Sequence, residues 1–116
     1  MVAGDTGNWS TQLRRGVAEH CVLACLRQSE QYGFELARTL SSADGVIASE
    51  GTLYPLLSRL RKANLVETNW RESVEGPPRR YYRLTPLGHT ELEMFTEQWK
   101  RFRDSVDRIL DQEVTS

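Results

Sequence analysis

The sequence has no long hydrophobic run. None of its apolar stretches approaches the roughly 20 residues that a membrane-spanning helix needs. The first 12 residues carry neither a positive cluster nor an apolar run, so no secretory leader is expected and the chain is read as cytoplasmic, without membrane contact. Histidines are scarce and isolated, at His20 and His89, and His89 reads as a partly buried packing residue. No serine or cysteine has an evident base partner, and no glycine-rich loop is built to cradle phosphate. These absences exclude an enzyme and leave no cofactor to hold. The only cysteines are Cys21 and Cys25, one helical turn apart, which is poor geometry for a disulfide between them. They read as small apolar side chains. Together with His20 they lack a fourth ligand at recognisable spacing, so no metal site is expected. A thiol- or metal-responsive trigger at Cys21 and Cys25 remains the alternative.

The chain also lacks positive charge overall, with 15 Lys and Arg against 16 Asp and Glu. Its distribution is uneven. Residues 1–49 balance at −1, residues 50–84 at +3 and residues 85–116 at −3. The basic middle block contains Arg59, Arg61, Lys62, Arg71, Arg79, Arg80 and Arg83. A local basic patch, not the total, is the electrostatic footprint of a nucleic-acid binder.

Periodicity supplies the architecture. Residues 1–9 are polar and read as a tail, with Trp9 an aromatic that docks nearby. A first helix is predicted from Ser10 or Thr11 to Arg27, with Leu13, Val17, Cys21, Ala24 and Cys25 as one stripe. Val22 and Leu26 widen it. Ser29–Gly33 is a polar break before a second helix over Phe34–Ser42, and Val46–Ala48 is a short strand or part of a turn. A third helix runs from Ser49 to Ala63 on the stripe Leu53, Leu56, Leu57 and Leu60. Either Ser49 or Thr52 caps it: with Ser49, Pro55 falls inside the helix, and with Thr52, it falls in the first turn. Asn64 suits a left-handed C-terminal residue.

Beyond Asn64 the period changes to two. Leu65–Trp70 and Arg80–Leu84 read as strands around a loop stiffened by Pro77 and Pro78, with Tyr82 and Leu84 facing the core. Thr85-Pro86 is a helix start, with a hydroxyl cap and proline at the first helical position. The last helix, Pro86 to Glu113, spaces Leu92, Phe95, Trp99, Phe102, Val106 and Ile109 by alternating steps of three and four. That seam has no partner within its own chain, so a second copy is the expected partner.

The expected fold is mainly α with a small β-wing: a winged helix-turn-helix domain over residues 10–84 and a C-terminal dimerisation helix over residues 85–116. In such an arrangement the third helix enters the major groove of double-stranded DNA. Its candidate DNA-binding residues are Ser49, Gly51, Thr52, Tyr54, Pro55, Ser58, Arg59, Arg61 and Lys62, joined by Arg79 and Arg80 from the wing. A winged-helix module for protein interaction alone would want a neutral wing and an apolar third-helix surface, and this sequence has neither.

Tyr32-Gly33-Phe34-Glu35-Leu36, the stretch Ser49 to Leu57, Leu60 to Val66 and Gly76 to Thr85 together resemble the PadR family of bacterial transcriptional regulators, in the branch with one C-terminal helix. The resemblance implies a homodimeric repressor on a palindromic operator. It implies that the first and last helices build the dimer, so Leu13 and Val17 join Leu92, Phe95, Trp99, Phe102, Val106 and Ile109 as interface candidates. Some members bind planar aromatic effectors between subunits against a tryptophan of the last helix. Trp99 is similar in position, and reads either as dimer core or as that effector platform.

Overall fold

The computed structural model describes residues 12–42, 45–47 and 50–112. The tail, Trp9, the helix start at Ser10 or Thr11, Ala48 and Ser49 lie outside these residues.

The predicted first helix is divided. Residues 12–15 are helical, residues 16–17 form a turn, and α1 spans Ala18–Cys25. Gly16 has low helix propensity, and a Cβ there would meet nothing within 4 Å, so no packing compensates. The Val17 N–H instead closes a turn on the Arg14 carbonyl at 3.0 Å. The buried face of α1 is Ala18, Val22 and Leu23, continued by Leu26 just beyond it. Cys21, Ala24 and Cys25 are a second, half-buried stripe packed against the same core. Two surfaces of this helix are therefore covered, while Leu13 is left exposed.

The Ser29–Gly33 break contains a strand that periodicity did not reveal, β1 (Gln31–Tyr32). It is tied to α1 by the Gln31 amide, which donates to the Cys25 carbonyl at 2.7 Å. Helix α2 (Gly33–Ser41) follows directly, its start held by Glu35 accepting from the Tyr32 N–H at 3.0 Å. Residues 45–47 are not a strand; Ile47 is an apolar plug, 1% exposed, whose N–H bonds back to the Leu40 carbonyl.

Helix α3 (Glu50–Lys62) buries Leu53, Leu56, Leu57 and Leu60, the stripe read from spacing. Glu50 and Gly51 are already helical, so Thr52 lies within the first turn and Pro55 inside the helix. The carbonyl thereby left without a helical partner belongs to exposed Gly51, where water can reach it. At the other end Asn64 has φ of 63°, with Asn64 N–H bonded to Arg61 and Leu65 N–H to Leu60. Those two bonds are a Schellman termination with asparagine in the left-handed position.

Strands β2 (Val66–Arg71) and β3 (Arg79–Leu84) pair antiparallel in the register Val66↔Leu84 to Arg71↔Arg79. β1 adds to the other edge of β3 through Gln31↔Tyr82 and Tyr32↔Tyr81, giving the order β1-β3-β2. Tyr82 and Leu84 close the core from this sheet, and Tyr81 and Arg83 face away. Helix α4 (Pro86–Leu110) begins at Thr85, whose hydroxyl accepts from the Gly88 N–H at 2.9 Å and donates to the Asn64 carbonyl at 2.7 Å. Only Gly88 and Leu92 of α4 are buried. His89 is exposed, not the packing residue expected. No helix among the described residues is long and apolar enough to cross a membrane.

Candidate nucleic-acid interface

The leucine stripe turns the other face of α3 outward. Gly51, Thr52, Tyr54, Pro55, Ser58, Arg59, Arg61 and Lys62 are all exposed. Ser49 lies outside the described residues. The first half of this face carries no cation, and Glu50 opens it with a negative charge. Arg61 and Lys62 are at the far end, and Arg59 is drawn toward α1 by Glu19 at 2.7 Å. Positive charge reaches the start of α3 from the wing.

A cleft of about 440 Å³ joins Tyr54 to Tyr32, Gly33, Trp70, Arg79 and Arg80. Tyr54 lies across the start of α2: a Cβ added to Gly33 would come within 2.5 Å of its hydroxyl oxygen. Only glycine admits so close an approach. Desolvation, the Glu50 carboxylate and Tyr82 push the Tyr54 phenol above its usual range. It stays an O–H, able to donate to a phosphate oxygen or a base edge.

The wing arginines rest on rings. The Arg79 guanidinium carbon is 4.6 Å from the Tyr32 ring centroid, that of Arg80 is 5.1 Å from Trp70, and that of Arg71 is 4.7 Å from Tyr81. Arg71 also pairs with Glu30. Tyr32, Phe34, Trp70 and Arg71 are additions to the candidate DNA-binding residues read from the sequence, where Arg71 figures only in the basic block. The arginines and aromatics gathered at 70–71 and 79–82 on the two paired strands are the available signal, and only the place of Tyr32 depends on β1.

A second surface lies where α1 meets α4. His20 stacks flat on Phe95, with centroids 4.0 Å apart, and its Nε2 lies 2.9 Å from a Glu91 carboxylate oxygen. Phe95, Trp99 and Phe102 continue the ring contacts along α4. An apolar groove of about 590 Å³ opens here, lined by Leu13, Val17, Phe95, Trp99, Phe102 and Val106. Ile109 lies beyond the groove, 68% exposed, and Leu92 is already covered by its own chain. Cys21 and Cys25 are free thiols whose pKa values burial raises. Among the described residues no cluster of three or more His, Cys, Asp or Glu could hold a metal ion.

Residues 22–94 match the Transcriptional regulator PadR-like family. A PadR-like transcriptional regulator from Bacillus cereus is 38% identical, with 88% of this chain and 99% of that chain covered at a TM-score of 0.80. A PadR family regulator from Eggerthella lenta is 33% identical over 92% and 93% of the two chains, at 0.79. A transcriptional regulator of Mycobacterium tuberculosis is 36% identical over 85% of this chain and 88% of its own length. The fold is also that of Bacillus subtilis PadR, a structure solved with operator DNA, at 22% identity and a TM-score of 0.63 over 69% of this chain and 46% of that one. These relatives are regulators, not enzymes. The chain belongs to the PadR-like family of transcriptional regulators.

Proposed function

We propose that this protein is a cytoplasmic repressor that binds a palindromic DNA operator as a homodimer. Helix α3 enters the major groove with Gly51, Thr52, Tyr54, Pro55 and Ser58 at the bases and nearest phosphates. Arg79 and Arg80 take the flanking backbone, and Arg61 and Lys62 add charge at the far end of the helix. The observation that carries this reading is the exposed polar face of α3 with wing arginines gathered at its start. Operator DNA bound to a PadR of the same fold supports it.

The second copy sits on the apolar seam of α4 and on Leu13 and Val17. A planar aromatic effector enters beside Trp99. The groove there is large enough for one, and its walls are mainly rings and aliphatic side chains with Gln98, Arg103 and Asp107 at hand for polar groups.

Selection of bound fragments from the source genome tests the reading, followed by affinity against salt on the selected site. About four to eight neutralised phosphates give a log–log slope of roughly −4 to −7. A flat salt response would remove DNA as the partner. Expression from a promoter carrying the site should fall when the protein is supplied; a rise would make it an activator.

A further inference from the structure

We infer that Trp70 and Tyr32 are positioning residues for DNA binding: each is a ring on which a wing arginine is held ready for phosphate. The inference rests on the reading of DNA as partner, and adds how the wing delivers its charge.

The sheet register generates the contacts. Trp70 and Arg80 are direct partners across β2 and β3, and their side chains stack. Tyr32 is the direct partner of Tyr81, which places it diagonal to Arg79, two residues earlier on the same face. The two-residue strand β1 therefore has a purpose beyond extending the sheet, since it carries one of the rings. Tyr32 itself contacts Tyr81 at 5.6 Å and Phe34 at 6.2 Å between centroids, which limits its movement.

Stacking changes what an arginine can do. A free guanidinium samples many rotamers, and ordering it on binding costs entropy. A ring against one flat face restrains it while the donors in its plane stay available. The Arg80 Nε is shielded from solvent, with no hydrogen-bond partner among the described residues. A shielded N–H without an acceptor is unfavourable. An anionic oxygen entering the cleft, which Tyr54 also lines, would supply that acceptor. Trp70 is 62% exposed, so its bulk is not needed to fill the core.

The test uses the full chain and a labelled random-sequence DNA duplex, because phosphate contacts do not depend on sequence. Trp70→Leu and Tyr32→Leu should each weaken binding about two- to fivefold, the size of an exposed cation–π contact. Trp70→Phe, which keeps a ring, should recover most of the loss. In an Arg80→Ala background Trp70→Leu should have no further effect. In the free protein the Arg80 Nε proton should resonate upfield from the indole ring current and move downfield in Trp70→Leu. No loss on Trp70→Leu, or an equal loss with Arg80 absent, would overturn the positioning role. Failure of the unaltered protein to bind any duplex would instead sink the DNA reading, and this role with it.

Discussion

Two glycines that look alike in sequence have different meanings at the residue scale. A Cβ at Gly88 would lie 2.1 Å from the backbone carbonyl oxygen of Leu65, which already accepts from the Thr85 N–H. Backbone cannot swing aside, so Gly88→Ala should cost about 2–3 kcal/mol, in the range of core overpacking. Thermal or denaturant unfolding reads this directly, and an unchanged midpoint would refute the contact. At Gly33 the obstacle is the Tyr54 side chain, which can rotate away. Gly33→Ala should therefore cost under about 1 kcal/mol, yet lower operator affinity more than Gly88→Ala does per unit of lost stability. The cysteines make the third case. Burial raises both thiol pKa values, and Cys21 raises that of Cys25 further. At neutral pH both should be more protonated than free thiols and alkylate more slowly than in the unfolded chain, with the rate rising into the alkaline range. Fast alkylation at neutral pH would revive a thiol trigger.

At the scale of elements, Thr85 joins the wing to α4. One hydroxyl both caps the helix and bonds the Asn64 carbonyl, and the residue is 5% exposed. Thr85→Ala removes both bonds and should cost about 1–2 kcal/mol, whereas Thr85→Ser should keep most of that stability. Equal losses would mean that the methyl group, not the hydroxyl, matters there. How much could be read beforehand follows from how local each signal is. The α3 leucines, the Asn64 termination, the β2–β3 pair and the Thr85 cap are written within a few residues, and each was legible. The division at Gly16 was not, because the apolar spacing runs unbroken across it and only backbone propensity argues otherwise. β1 was invisible for another reason. Two residues have no period, and Gln31 and Tyr32 become a strand only because β3 offers an open edge. The consequence reaches the site: the contact of Tyr32 with Arg79 depends on β1, and Arg59 carries its charge beside Glu19 while staying exposed.

For the whole molecule, the dimensions are the informative quantity. A compact domain of this length would have a radius of gyration near 13 Å, while this chain has 17.1 Å and extends 65 Å along its longest axis. The 25-residue α4 accounts for much of the difference, since at 1.5 Å per residue it is about 37 Å long and buries only Gly88 and Leu92 fully. Beyond Leu92 it exposes Phe102 at 64%, Ile109 at 68% and Leu110 at 75%, beside Leu13 at 66%. Apolar surface arranged along a helix that leaves its own domain is suited to burial against a second copy. Pairing through α4 would also match the charge pattern: the basic block of residues 50–84 lies outside that helix, which leaves one positive patch per subunit free to meet one half of a palindrome. Phe102→Asp tests this without touching the core. It should sediment near the monomer mass of 13.3 kDa and keep its helix content and unfolding midpoint as a domain. Operator affinity should fall by about 10²-fold or more, because the second half-site is no longer held at high effective concentration. Random-sequence binding per chain should change far less. If Phe102→Asp stays dimeric and binds its operator unchanged, the seam is not the dimer contact, and the groove at Trp99 would have to be read as a binding site within one subunit.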